Sequence, residues 1–464
     1  MHGCKDGIEQ NKFEVENKIQ GIMPLVSIIM PSLNVVSYID ECLQSEIHQT
    51  LKDIEIICID AGLTDGTREV IKRYALIDKR IRLIHSNVKS YGYQVDLGIN
   101  KAIGDYIGIL ETDDYVDCEM YERLYDAAKK ADADYVRADY DEIFEVDGRT
   151  ICNAKHIFTD GKKYNVVMSA CDIPEVFAQD ISIWSGIYRR KFLNGYDIRL
   201  NETSGAAFQD IGFKLLTLSY AKKIMYINYS GYRYRMEREG CSSCNNNVLK
   251  YAWQEFKRLL HETDILGTNT CKYVLYRMID IFLCEYNKLL LKELQEGQAG
   301  LYEEFVEPYY RCFKNIISDY LDNQIISYEE MTDYQHSNLK PLLENRIEYN
   351  KNTLEKLVAI QKYWDGMADK LCNTEVVIVS YGIRGKNALK QLMSRGTNVV
   401  AVCDNDESVR QQKVGVLMLS IEDAVKNYRR ATYVISNKKY TEVLEKQLVL
   451  LGIPKINIIL VERS

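Results

Sequence analysis

Residues 111–114 read Glu-Thr-Asp-Asp, three carboxylates within four positions. Carboxylates this close repel one another unless they share a cation. Oxygen-only ligands select Mg²⁺ or Mn²⁺ over zinc, and such an ion bridges a diphosphate while using only one or two protein carboxylates. The same run also reads as a solvated acidic turn capping a helix that starts near Cys118. Asp60 closes the run IEIICID (54–60), Asp210 sits in AAFQDIGF, and Arg233 and Arg235 stand in GYRYRMER. Further on, SYGIRG keeps Gly382 and Gly385 of a G-x-G-x-x-G turn, with Ser380 in place of the first glycine. Asp404 comes about 20 residues later, as a ribose-binding acid would. That turn suits a nucleotide, or it only packs a helix tightly on a sheet. One CxxC, Cys241 to Cys244, has no second pair, so free thiols in a loop are expected rather than zinc.

Strands and helices must alternate to place these groups. PLVSIIMP (24–31), IEIICID (54–60), IRLIHS (81–86) and DYIGIL (105–110) are short apolar runs of strand length, with helix patterns in Tyr38–Gln49 and Thr67–Ala75 between them. Thr64 or Asp65 is placed to cap the second helix. Such alternation predicts a mainly parallel sheet, whose ligands lie beyond the carboxyl ends of the strands. Asp60, Glu111, Asp113 and Asp114 all fall at such ends. Residues 245–365 change period: Val248, Ala252, Phe256 and Leu259 form one helical stripe, and Val274, Met278 and Phe282 another. A fresh α/β pattern starts at 374, with strands TEVVIVS, NVVAVCD, ATYVIS and KINIILV and a helix ended by Gly396.

Composition narrows the class. A chain of 464 residues allows two to four domains, and 46% hydrophobic with 27% charged residues excludes a mostly disordered chain. A net charge of −8 argues against nucleic acid as a partner, which would want a basic face. No apolar run reaches the ~18 residues of a membrane span. With no signal-like apolar region at the N-terminus and 13 scattered cysteines, a reducing, cytoplasmic setting is expected, with contact at the inner face of the membrane left open. Tyrosine is the unusual residue, 34 against 11 Phe and 3 Trp, and sugar sites favour aromatic faces that carry a hydroxyl.

Taken in order, PLVSIIMPSLNVVSYIDECLQS, IEIICIDAGLTDGT, GDYIGILETDD and the later FQD resemble the family 2 glycosyltransferases over roughly residues 24–240. The resemblance implies a GT-A fold and inverting transfer from a nucleotide-diphospho-sugar, UDP-type first, to an acceptor hydroxyl. Pro31, Ser32 and Asn34 match the loop against the nucleotide base, and Asp60 and Gly62 match the loop that meets base or ribose. Glu111 and Asp113 match the Asp-x-Asp positions, with the metal on Asp113 or Asp114. Asp210 matches the catalytic base. Leu33 stands where the family usually has tyrosine, Ala61 where it has a second aspartate, and Gln94-Val95-Asp96 where it has Ala-Arg-Asn. Asp96 is therefore the donor-side residue at that place, and Arg233 or Arg235 could take over the missing phosphate contact. Trp184, Arg189 and Arg190 lie where the family places acceptor-side elements.

The sequence thus predicts an N-terminal extension (1–23), a GT-A domain (24–244), a helical connector (245–370) and a Rossmann-like domain (371–464). The expected activity is metal-dependent hexosyl transfer to a glycan or lipid-linked acceptor in surface polysaccharide assembly. Two other readings stay open: a binding or regulatory protein on a transferase scaffold, and a nucleotide-sugar redox enzyme acting through Gly382, Gly385 and Asp404.

Overall fold

The computed structural model describes residues 23–146, 149–158, 161–179, 182–206, 208–236, 248–297, 300, 302–410 and 416–461. Cys241, Cys244 and all but the last residue of the expected N-terminal extension lie outside them. Two compact units emerge. The first takes residues up to Glu142, Ala154–Tyr286 and Glu303–Lys340; the second takes Ile143–Asn153, Asn287–Tyr302 and Pro341 onward. The helices expected as a separate connector are thus shared between the units.

In the first unit, strands β1 (Val26–Ser32), β2 (Ile54–Asp60), β3 (Ile81–His85) and β4 (Tyr106–Ile109) alternate with helices α1 (Ile39–Ile47), α2 (Thr67–Ile77) and α3 (Tyr91–Lys101). Every residue of β1, β2 and β4 is buried, which is why they read as continuous apolar runs rather than alternating ones. They pair in parallel in the order β3-β2-β1-β4. The β1–β4 ladder stops at Ile29 and Ile109, so Pro31 and Ser32 continue along β2 alone. Pro31 therefore stands where β4 asks for no donor. The reversal of strand order between β1 and β4 is the place where open α/β sheets bind ligands.

Next come β5 (Tyr115–Val116), α4 (Met120–Ala131), β6 (Tyr135–Val146), β7 (Arg149–Lys155), β8 (Val167–Met168), β9 (Gly186–Arg189), α5 (Arg190–Gly195), α6 (Gln209–Tyr220) and β10 (Ile224–Arg235). They extend the sheet as β4-β9-β6-β10-β5, with β9 antiparallel to β4 and β10 antiparallel to β5. Helix α7 (Val248–Glu262) packs on α6. Its stripe Val248, Ala252, Phe256 and Leu259 is buried as the periodicity predicts. Helices α8 (Cys271–Glu296) and α9 (Glu303–Asp322) meet through Phe282 and Phe313, stacked at 3.8 Å.

Helix α10 (Asp333–Glu344) leads to α11 (Arg346–Lys370) in the second unit. There β11 (Val376–Val379), α12 (Ile383–Met393), β12 (Val399–Cys403), α13 (Glu407–Arg410), β13 (Leu417–Leu419), α14 (Ile421–Asn427), β14 (Thr432–Ile435), α15 (Thr441–Leu450) and β15 (Ile458–Leu460) form a five-stranded sheet in the order β13-β12-β11-β14-β15. All of its pairs are parallel. Trp364 and Met367 of α11, with Leu371 just after it, close one face against Val376, Ile378, Leu389 and Leu392. The four expected strands are present. Strand β13 is absent from the sequence pattern because LML is too short to give a period.

Candidate active site

The crevice past β1 and β2 is built by side chains folding back on their own loops. Asp60 accepts from Gly62 N at 2.8 Å and Leu63 N at 2.9 Å, and its other oxygen pairs with Arg68. Burial pushes this carboxyl up, but Arg68 and the two backbone donors outweigh it and hold it below the usual carboxylate range. Asn34, in the left-handed region at φ 51°, accepts from Thr64 N at 3.0 Å. Asp65 accepts from Thr67 N at 3.0 Å and from Val36 N at 2.9 Å, so it caps α2 from one residue before Gly66 and ties it to the end of β1. Gly62 has φ 89°, and the Lys89 side chain passes over it, with Cε 3.6 Å from where a Cβ would stand. The sequence gives no sign of Lys89, which precedes the helix rather than lying in a motif.

The acidic loop leaves β4 beside that crevice. Thr112 Oγ1 donates to Pro31 O at 2.9 Å, which pins the loop to the end of β1. Glu111 accepts from the Tyr91 hydroxyl at 2.5 Å. Asp113 is 7% exposed and Asp114 1% exposed. Asp114 accepts from the Tyr232 hydroxyl at 2.7 Å and from Arg235 N at 2.8 Å. The same Tyr232 oxygen accepts from Glu111 N at 3.2 Å, so one residue of β10 latches both ends of the loop. Burial, then the charge of Asp113, pushes the Asp114 carboxyl well up despite these two donors. Both oxygens of Asp114 are engaged inside the chain, where the sequence made it one of two metal candidates. Among the described residues no group of three or more His, Cys, Asp or Glu is arranged to hold a metal by itself.

Asp210 is the second residue of α6, and the loop before it is zipped to the start of α3. Ser90 and Gly205 form a bridge, with Tyr91 N donating to Gly205 O and Gly205 N to Lys89 O, each at 2.9 Å. This brings Asp210 close enough to Tyr91 to bear on its ionisation. Burial first, then Glu111, then Asp210 push the Tyr91 phenol well above its ordinary value. Asp210 itself is pushed up to about 7 by burial and by Glu255 of α7, against the N–H of Ile211 and the ammonium of Lys214. A carboxyl poised there can take a proton near neutral pH.

Other expected site residues are engaged elsewhere. Asp96 is buried on α3 and accepts from Leu200 N at 3.1 Å, so it anchors the Asp210 loop; burial pushes it up to about 7. Arg233 pairs with Asp141 at 3.1 Å and donates to Ser230 O. Arg235 pairs with Glu41 and lies over the rings of Tyr38 and Tyr115 at 5.4 and 5.0 Å. Both guanidiniums thus serve β10 and its neighbours, where a phosphate contact was expected. Arg190 donates to Gly104 O and Arg189 to Asp132, fastening β9 to the start of β4 and the end of α4. Trp184 stacks on Tyr232 at 4.1 Å and Tyr234 at 5.0 Å. In the second unit, Asp404 accepts from Tyr381 N and Asp406 N at 2.8 and 2.9 Å. Gly385 lies where a Cβ would come within 2.0 Å of Ser380 O, so this glycine serves close helix–strand packing.

A mixed sheet with an acidic loop at its parallel switch point is the GT-A arrangement. The crystal structure of residues 1–349 of S. aureus TarS, in complex with UDP-GlcNAc, shares it with a TM-score of 0.51 at 16% identity, over 72% of this chain and 90% of that one. Residues 27–170 match the model of glycosyl transferase family 2. The uncharacterized glycosyltransferase EpsJ of Bacillus subtilis (strain 168) is 31% identical over 280 residues, 58% of this chain and 78% of that protein. Glycosyltransferase GlyG of Streptococcus pneumoniae serotype 4 is 30% identical over 219 residues, 46% of this chain and 70% of that protein. The chain belongs to glycosyl transferase family 2 and is a glycosyltransferase.

Proposed function

We propose that this enzyme moves a hexosyl group from a nucleotide-diphospho-sugar to an acceptor hydroxyl with inversion, Asp210 acting as the base. The observation that carries this reading is Asp210 itself: a half-buried carboxyl beside the Tyr91–Glu111 pair, pushed up to about 7. In a single displacement Asp210 takes the proton as the acceptor oxygen attacks the anomeric carbon. General base catalysis of this kind contributes roughly 10²–10⁴ in rate. Tyr91 holds Glu111 in place on the donor side, and the Tyr232 latch keeps Asp113 at the end of β1.

The donor set fits a metal that relies on its substrate. With Asp114 spent in the latch, Asp113 would hold Mg²⁺ or Mn²⁺ together with the donor's diphosphate, in keeping with the few protein ligands Mg²⁺ takes. When bound, the ion would supply charge neutralisation for the leaving diphosphate. Lys89, exposed and passing over Gly62, suits the same diphosphate. A UDP-type donor is supported by the UDP-GlcNAc in the TarS complex. A glycan or lipid-linked acceptor in polysaccharide assembly accords with the family resemblance. Among the described residues no helix is long and apolar enough to cross a membrane. A panel of nucleotide sugars with Mn²⁺ and the purified protein tests the proposal; release of no nucleoside diphosphate from any donor would refute it.

A further inference from the structure

The loop that ends in Asp210 is held by two helices, and only one of them belongs to the motifs read from the sequence. On α3, Gly92 has no side chain where a Cβ would meet Asn201 O at 2.0 Å, and Asp96 receives Leu200 N. On α7, Glu255 lies 1% exposed, hydrogen-bonded by the Asn201 side chain, with Arg258 Nη2 3.4 Å from its Oε2. Gly212, two residues past Asp210, makes room for this pair. A Cβ there would stand 2.3 Å from Glu255 Oε2 and 2.5 Å from Arg258 Nη2. An ion pair at 3.4 Å, buried on an otherwise apolar stripe, is a poor source of stability, since desolvation offsets most of the attraction. Its position against the start of α6 gives it another use.

We propose that Glu255, held by Arg258 and Asn201, is a positioning residue for the reaction: it fixes the loop that carries Asp210 and, when ionised, sets a negative charge against the start of α6. The inference rests on Asp210 being the base. A like charge disfavours the ionised form of a neighbour and so makes it a stronger proton acceptor. The groups that bear on Asp210 are Glu255 from α7, Lys214 from α6 itself and Tyr91 from α3, the last tied to Glu111. Burial and Glu262 push the Glu255 carboxyl up to about 7 against Arg258 and Asn201, so Glu255 and Asp210 titrate over the same range and each ionises at the other's expense. Arg258 also draws on Asp96, so one guanidinium links the two helices that hold the loop.

The test is Glu255→Gln, which keeps the shape and removes the charge. The Asp210 carboxyl is followed by carbon-13 titration of labelled aspartates, its resonance identified by its loss in Asp210→Asn. Its midpoint is expected to fall by about one pH unit. The acid limb of the kcat profile should move with it, while KM for the donor stays within about twofold. Gly212→Ala, which displaces Glu255 by sterics, should shift both in the same direction and guards against a variant that fails to fold. A folded Glu255→Gln protein with an unmoved midpoint and acid limb overturns the proposal. Should Asp210→Asn retain full turnover, the base assignment fails instead, and the carbon-13 midpoint still decides the coupling to Glu255.

Discussion

The two sheets begin alike and end differently. Strand order is β3-β2-β1-β4 in the first unit and β13-β12-β11-β14 in the second, and in each an aspartate closes or succeeds the second strand: Asp60 and Asp404. In both units that aspartate accepts from backbone N–H groups, Asp60 from Gly62 and Leu63 in its own loop, Asp404 from nearby Asp406 and from Tyr381 past the end of β11. Past the fourth strand the resemblance ends. Residues after β4 are Glu111 to Asp114, latched by β10, with Glu111 bonded to the Tyr91 phenol on which Asp210 also bears; residues after β14 are Ser436, Asn437, Lys438 and Lys439. The shared half is a parallel α/β sheet, and the carboxylates of the proposed site lie beyond the fourth strand of the first unit alone.

The sharpest break in that comparison is Asp210→Asn, which should cut transfer by roughly 10²–10⁴ with donor affinity unchanged by calorimetry. Asp404→Asn in the other unit should leave turnover within about twofold. With the wild-type protein, turnover should fall as pH drops through about 7, because protonated Asp210 cannot accept the acceptor's proton. A flat profile from about pH 6 to 8 would remove Asp210 from the rate-limiting proton transfer.

Next in size, Asp113→Asn should lower turnover by about 10², a loss of the order seen when transition-state charge goes unmatched. Added Mn²⁺ should recover only part of it, and complete rescue would point to another ligand.

The second unit is sharpened by Gly385→Ala. The new methyl meets the backbone at Ser380 O, so that sheet should lose about 1–3 kcal/mol, read by the urea dependence of amide hydrogen exchange in β11 and β14. Transfer below the transition should not change. Smallest is Tyr232→Phe, which takes one donor from buried Asp114 at a cost of about 1–3 kcal/mol. A loss of thermal stability with kcat intact would make the latch purely architectural.

What the sequence disclosed was local. Fully buried β1 and β2 announce themselves as apolar runs, and Glu111 to Asp114 lie together in the chain. The α7 stripe names its apolar face, yet periodicity does not say which element that face meets. It is silent on Asn201 and α6, and so on Glu255, although a charged residue three positions after Ala252 and one before Phe256 was a visible irregularity. Partners far apart in the chain were illegible for the same reason. Tyr232 reaches Asp114 across 118 residues, and Arg235 reaches Glu41 across 194. Without those pairs, nothing in GYRYRMER tells that its arginines meet Asp141 and Glu41, or that both Asp114 oxygens accept hydrogen bonds from β10.

The Tyr232 latch also orders events during synthesis. The acidic loop leaves the ribosome well before the strand that fastens it, so a nascent chain ending before β10 carries every early carboxylate but lacks the Tyr232 bonds to Glu111 N and Asp114. A truncated product stopped in α6 would own the motif without the residue that latches it.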